Sequence, residues 1–201
     1  MEARTFGQRN ITVKFIFLVE EKSMQKFLEV FLEKRLPTGT TFKVIPHEGK
    51  SDLKKSIPIK LKALNKDDVM FIVLIDQDSS DCRTLKLEIN DLCCKTNANY
   101  KVCIACRELE AWYLGDLSAI DKAFASKLSK QANKKKFRNP DMLNNAKQEL
   151  KKHIGEIAQI AIAEKVATAM SESNYRENKS HSFHYFLKTI GLDSTPIHEN
   201  S

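Results

Sequence analysis

The chain predicts an α/β fold: a mostly parallel sheet of about four strands flanked by helices, with a helical C-terminal extension. Three observations predict it. Apolar, β-branched segments alternate with amphipathic ones through the first 125 of 201 residues. The stretches between strand segments are long enough for crossover helices. Residues 69–75 are apolar without a break, as a central strand buried on both faces requires.

"ITVKFIFLVE" (11–20), β-branched and aromatic, reads as the first strand. Met24, Phe27, Leu28, Phe31 and Leu32 then form a helical stripe, with Ser23 as the expected N-cap and "PTG" at 37–39 as the stop. "TFKVIPH" is a second strand. "SDLKKSIPIKLKAL" is helical, and Pro58 is expected to bend or split it. "DVMFIVLID" is the third strand and "RTLKLEINDLCCKT" the next helix, with Asp81 placed to cap it. "YKVCIACRE" is the fourth strand, after which "LEAWYLGDLSAIDKAF" turns helical. Beyond about residue 126, helices are expected near 141–152, 154–170 and 180–190, and "STPIHENS" reads as a frayed tail. The predicted division is 1–125, the α/β core, and 126–201, a basic helical part packed on it.

Composition excludes several classes. A hydrophobic fraction of 42% beside 29% charged residues is that of a globular chain able to build a core. "FIFLV" and "MFIVLI" are too short to cross a bilayer, and "MEARTFGQRN" lacks the apolar middle of a secretory signal. A cytoplasmic protein with no membrane partner is expected. Five cysteines, an odd number, argue against a disulfide framework. Cys103 and Cys106 have C-x-x-C spacing, but three residues apart on a strand they face opposite ways. Buried, inert thiols are therefore expected rather than a zinc site. The net charge of +7 is concentrated in "KLSKQANKKKFRNP" and "AKQELKKH". It favours contact with polyanions, although charge runs also occur as plain solvated helix faces.

Three of the four predicted strands run into acids: Glu20 and Glu21, Asp76 and Asp78, Glu108 and Glu110. In a parallel sheet those ends emerge along one carboxyl edge, where open α/β folds place ligands. Carboxylates crowded there repel one another and must take up protons or share a cation. Hard oxygen donors suit Mg²⁺ or Mn²⁺, which can clamp a phosphodiester, activate water and stabilise a leaving oxygen. Glu20, Asp76 and Asp78 are the candidate catalytic residues; with Glu110 and Glu108 they are the candidate metal ligands. The competing reading is that the acids cap the helices that follow.

In "HEGKSDL", Gly49, Lys50 and Ser51 offer a strand-to-helix turn that can cradle a phosphate, without the longer spacing of a P-loop. Lys22, Lys50 and Arg107 are the candidates to steady substrate phosphates. His47 reads as a polar loop residue. His181 and His184 share a helical face but lack further ligands, so packing through Phe183, Phe186 and Leu187 is expected there. Trp112 reads as core.

The acids resemble the Toprim pattern, a glutamate after the first strand and a D-x-D after a later one, here Glu20 and Asp76-Gln77-Asp78. Toprim domains are the metal-dependent modules of topoisomerases, primases and nucleases of the overcoming-lysogenization-defect type. More closely, "FLVEEKSMQKFL", "HEGKSDL", "RELEAWYLGD" and "NKSHSFHYFLKTI" resemble the Toprim-like domain-of-unknown-function family 4276 of bacteria and archaea. The likeness extends over nearly the whole chain, and its E-x-E-A-W and N-x-S-x-S-F pieces are more specific than the D-x-D. Glu21 and Met24 stand where that family usually has a glycine and an acid. The resemblance implies a Toprim-like, Rossmann-like core and a small Mg²⁺-dependent nuclease acting on DNA or RNA. It also implies an ABC- or AAA-type ATPase from a neighbouring gene as partner, in anti-phage defence.

Two other functions compete. One is a non-catalytic partner or regulatory subunit of an ATPase, docking through the basic surface with vestigial acids. The other is a phosphotransferase or phosphatase with Asp76 as nucleophile. Acids at three strand ends look more like ligands than like one nucleophile with helpers. The sequence leaves open whether the chain forms a homo-oligomer.

Overall fold

The computed structural model describes residues 14–192. Its strands are β1 (Lys14–Val19), β2 (Thr41–Pro46), β3 (Val69–Asp76) and β4 (Tyr100–Ala105). They pair in parallel throughout, in the order β2-β1-β3-β4. Residues 11–13 of the expected first strand and the expected C-terminal tail lie outside the described residues. Helices α1 (Lys22–Arg35), α2 (Lys50–Leu64) and α3 (Cys82–Cys93) make the crossovers. After β4 come α4 (Glu110–Leu114), α5 (Leu117–Phe124), α6 (Lys135–Arg138), α7 (Ala146–Ile154), α8 (Gln159–Glu172) and α9 (His181–Thr189). The expected α/β architecture, Rossmann-like with helices on both faces and a helical C-terminal part, is the one observed.

The alternation of strand side chains divides the interior in two. Phe15, Phe17 and Val19 of β1, with Ile72 and Leu74 of β3, face α1 and the helices that follow β4. Ile16 and Leu18, with Phe71, Val73 and Ile75, face α2 and α3. Both sides of β3 are therefore buried, which is why its sequence carries no polar residue before Asp76. Helix α1 carries the chain outward from β1 to β2. Helix α2 then returns on the opposite face to place β3 on the other side of β1. That reversal opens a crevice between the carboxyl ends of β1 and β3, the switch point where doubly wound sheets bind ligands.

The helices beyond residue 126 complete the α1 face. Helix α8 lies along α1 and α9 along β4. Val166 and Met170 of α8, and Phe183, Phe186 and Leu187 of α9, join the same apolar cluster as Phe17 and Trp112. A buried polar network fixes α9 to α4. Trp112 Nε1–H donates to Ser182 Oγ at 2.9 Å, and Asn178 Nδ2–H donates to the Trp112 carbonyl at 2.8 Å. Asp141 accepts from Ser180 Oγ at 2.6 Å and from the Ser182 amide at 2.8 Å. Gly115 lies so close that a Cβ there would overlap Asn178 Oδ1.

Several local expectations are corrected. Helix α2 is not split at Pro58: Leu53, Ile57 and Leu61 seat both halves on the sheet and offset the missing hydrogen bond. Ser23 lies inside α1 rather than at its N-cap, which is Glu21, and its hydroxyl donates to the Glu21 carboxylate. The expected single helix after β4 breaks at Gly115, because Asp116 caps α5 by accepting from the Ala119 amide at 2.9 Å. Asp81 caps α3 as expected, through the Thr84 amide at 2.8 Å. All five cysteines are free thiols. Burial pushes the Cys93 thiol up to about 12 and Cys103 up to about 11, whereas Cys94 is exposed rather than buried. Among the described residues no helix is long and apolar enough to cross a membrane.

Candidate functional site at the carboxyl edge

Glu20 follows β1 directly and Asp76 ends β3, so the parallel register brings both to the switch point. The Asp76 amide donates to Glu20 Oε2 at 3.3 Å. The loops beyond β3 and β4 are bound to each other: the Asp78 amide donates to the Arg107 carbonyl at 2.7 Å, and the Arg107 amide to Gln77 Oε1 at 3.1 Å. Asp78 and Arg107 both hold left-handed backbones, at φ 52° and 64°. Such conformations in non-glycine residues cost energy and persist where surrounding bonds enforce them.

The loop before α2 closes the other side. Gly49 sits at φ 97° and ψ 179°, a region open essentially to glycine alone, and its amide donates to the Glu20 carbonyl at 3.0 Å. His47 is not the polar loop residue its sequence context indicates. It is buried, its Nδ1–H donating to the Val19 carbonyl at 2.8 Å while Nε2 bonds Ser56 Oγ at 2.8 Å. It ties the end of β1 to α2.

The charges are unevenly matched. Asp76 Oδ1 is shielded from solvent and has no hydrogen-bond partner. Burial, then Glu110, Glu20, Asp78 and Glu21, raise the Asp76 carboxyl well above the ordinary carboxylate range. Burial also raises Glu20, against the opposing pull of Lys50. Glu110 is pushed up to about 7, chiefly by burial, with Glu108 and Glu21 adding repulsion. Asp78 is more exposed and is paired: Lys50 Nζ reaches its Oδ2 at 2.5 Å and donates to the Gln77 carbonyl at 3.4 Å.

Of the remaining candidates, Glu108 accepts from the Lys147 amide at 2.8 Å, at the start of α7, and Glu110 accepts weakly from Gln159 Nε2 at 3.4 Å. Lys22 is exposed and pairs with Glu48 at 3.3 Å. A cleft of about 290 Å³ opens beside the acids, lined by Glu21, Lys22, Ser23, Gly49 and Gln159 among others. Sequence reasoning placed Glu21 at this edge without choosing it as a ligand, and it missed Tyr113, Lys147 and Gln159. Glu21 was legible as the neighbour of Glu20. The others reach the edge only through the packing of α4, α7 and α8.

These acids do not form a ready cage: among the described residues no group of three or more His, Cys, Asp or Glu side chains is arranged to hold a metal ion. In kind they still fit a hard divalent cation. The donors are carboxylate oxygens, one of them shielded and without a partner, and their mutual repulsion is only partly offset by Lys50.

The chain was compared with known proteins. No curated protein and no solved structure matches it. A sequence model of one family matches residues 19–191, nearly the whole chain and all of the elements that build this edge. The "HEGKSDL" turn, the acids after β4 and the buried Asn178–Ser182 network all fall inside that match. The chain therefore belongs to the family described as domain of unknown function (DUF4276).

Proposed function

We propose that this protein is a Mg²⁺- or Mn²⁺-dependent phosphodiesterase that cleaves DNA or RNA, built on a Toprim-like core. The observation that carries the reading is Asp76, a strand-end carboxylate with one oxygen shielded and unpartnered, repelled by Glu110, Glu20, Asp78 and Glu21. The groups that act on it most strongly are all acids, and a site of that kind is one that a bound cation completes. Asp76, Asp78 and Glu20 would hold the ion, with Glu110 and less directly Glu108 beside them. A bound divalent ion supplies Lewis-acid polarisation of the phosphoryl group and charge for the leaving oxygen.

The chain's own residues supply the rest. Where Glu20 does not bind the ion itself, it serves instead as the base that takes a proton from an attacking water, its carboxyl raised chiefly by burial. Lys22, Lys50 and Arg107 border the crevice and would steady phosphate oxygens. Lys147 of α7 lies at the Glu108 end of the edge, followed by Lys151 and Lys152, which pair with Glu156 and Glu149; a polyanion would be held there by contacts that weaken with salt. The likeness to defence nucleases extends the proposal to an ATPase partner in anti-phage defence.

The test is cleavage of DNA and of RNA by purified protein with Mg²⁺, Mn²⁺ or chelator, for wild type and Asp76→Ala. Cleavage by wild type that needs the metal and vanishes in the variant supports the reading. Equal cleavage by both removes it. One observation favours a second reading: Lys50 already neutralises Asp78. On that reading the protein is a non-catalytic regulatory subunit of an ATPase, shown by a stable complex with no cleavage in any metal.

A further inference from the structure

Two thiols that the proposed site does not use stand beside its loops. Cys106 follows β4 directly, and Cys82 opens α3. Along β4, Val102 and Ile104 face α2 and α3, while Cys103 and Ala105 face the cluster that α9 joins. Cys82 packs against the cluster that holds Ile104. Because β4 is the outer strand, α3 and α9 meet across its open edge. There Lys86 Nζ donates to the Tyr185 hydroxyl at 3.1 Å and lies 4.5 Å from the centre of its ring. One helical turn nearer the carboxyl ends, Cys82 precedes Lys86 and Ser182 precedes Tyr185. Ser182 Oγ in turn accepts from the Cys106 amide at 3.2 Å. The junction that joins the two helices therefore also brings Cys82 to Cys106. Burial, then Asp141 and Cys82, push the Cys106 thiol up to about 11. Both thiols are partly exposed, whereas Cys93 and Cys103 are buried and Cys94 stands at the far end of α3.

We propose that Cys82 and Cys106 form a dithiol modification site that a peroxide closes to a disulfide. Thiolates rather than thiols attack a peroxide, so Cys106, held protonated, is the resolving partner and Cys82 the first to react. The Cys82 sulfur takes one peroxide oxygen to become a sulfenic acid, and the other oxygen leaves as water. The Cys106 sulfur then displaces the sulfenic hydroxyl, which leaves as a second water with the Cys106 proton. Two thiols are oxidised and one peroxide is reduced. The bond staples the start of α3 to the end of β4, across the loops that carry Asp78 and Arg107. The inference goes beyond the phosphodiesterase reading and does not depend on it.

The experiment treats the reduced full chain with hydrogen peroxide, for wild type, Cys82→Ser and Cys106→Ser. Peptide mass spectrometry without reductant and thermal melting read the outcome. The expected result in wild type is a link between the Cys82 and Cys106 peptides that dithiothreitol reverses. Closing the loop of residues 82–106 should raise the melting temperature by roughly 10 °C. Cys106→Ser should leave Cys82 as a sulfenic acid that dimedone labels, and Cys82→Ser should leave Cys106 a free thiol. Peroxide that leaves both wild-type thiols free, or links either to another cysteine, overturns the proposal. So does a linked pair that melts below the reduced chain, because the native spacing would then reject the bond. Each of these outcomes leaves metal-dependent cleavage to be judged separately, by Asp76→Ala.

Discussion

Two polar clusters lie in the interior of this protein, and they are built to opposite rules. Around Asp141 every polar group has its complement: Ser180, Ser182, Asn178 and Trp112 exchange hydrogen bonds between 2.6 and 3.2 Å. At the carboxyl edge Asp76 Oδ1 and the Tyr113 hydroxyl have none. Two partly shielded glutamates repeat the contrast. Burial alone would raise Glu149, but hydrogen bonds from Lys136 and His153 hold its carboxyl down to about 2. Glu110, whose side chain accepts only a weak bond from Gln159 at 3.4 Å, is pushed up to about 7, chiefly by burial. A satisfied cluster holds helices in place, whereas an unsatisfied one costs stability, and that cost is what the proposed function accounts for.

The contrast breaks most sharply at Asp76. Asp76→Ala is expected to lower metal-dependent cleavage on the order of 10³-fold while leaving the metal-free melting temperature unlowered. A cleavage assay paired with thermal melting checks both halves. The mirror experiment is Asp141→Ala, which strands the hydroxyl and amide donors of Ser180 and Ser182 and should cost about 3 kcal/mol. Denaturant unfolding reads that loss; a stable variant would show that the network is dispensable. Gly115→Ala, forced against Asn178, should cost about 2 kcal/mol by the same measurement.

The smallest effect comes from pH. The Glu149 carboxyl is held below its unfolded value of 4.5, so its contribution is fully present above that pH and is lost as pH falls toward about 2. Glu149→Gln should therefore cost about 1 kcal/mol at neutral pH and flatten the stability profile across that window. An unchanged profile in the variant would assign acid sensitivity to another group.

Much of the fold was legible because it follows from periodicity. The unbroken apolar run at 69–75 announced a doubly buried strand, and the stripe at Met24, Phe27, Leu28, Phe31 and Leu32 announced α1. Boundaries were less legible. Helix α2 passes through Pro58 and the stretch after β4 breaks at Gly115, because packing and the Asp116 side-chain cap outweighed local propensity. The Asn178–Ser182 motif was visible as a pattern, but its partner Asp141 was not, since it lies 39 positions before Ser180, the nearest residue it bonds there.

The sequence by itself determined that acids would stand at one edge. Strand alternation with crossovers forces a parallel sheet, and residues placed after β1, β3 and β4 must then emerge together. Only the tertiary structure decided which of those acids are matched. Lys50 reaches Asp78, the Lys147 amide reaches Glu108, and no donor reaches Asp76 Oδ1. Strand order is a property of the chain's pattern, whereas hydrogen-bond partners are settled by side chains that meet across tens of residues of sequence. The orphaned hydroxyl of Tyr113 belongs to the second kind: its burial could be read from its apolar neighbours, but its lack of a partner could not.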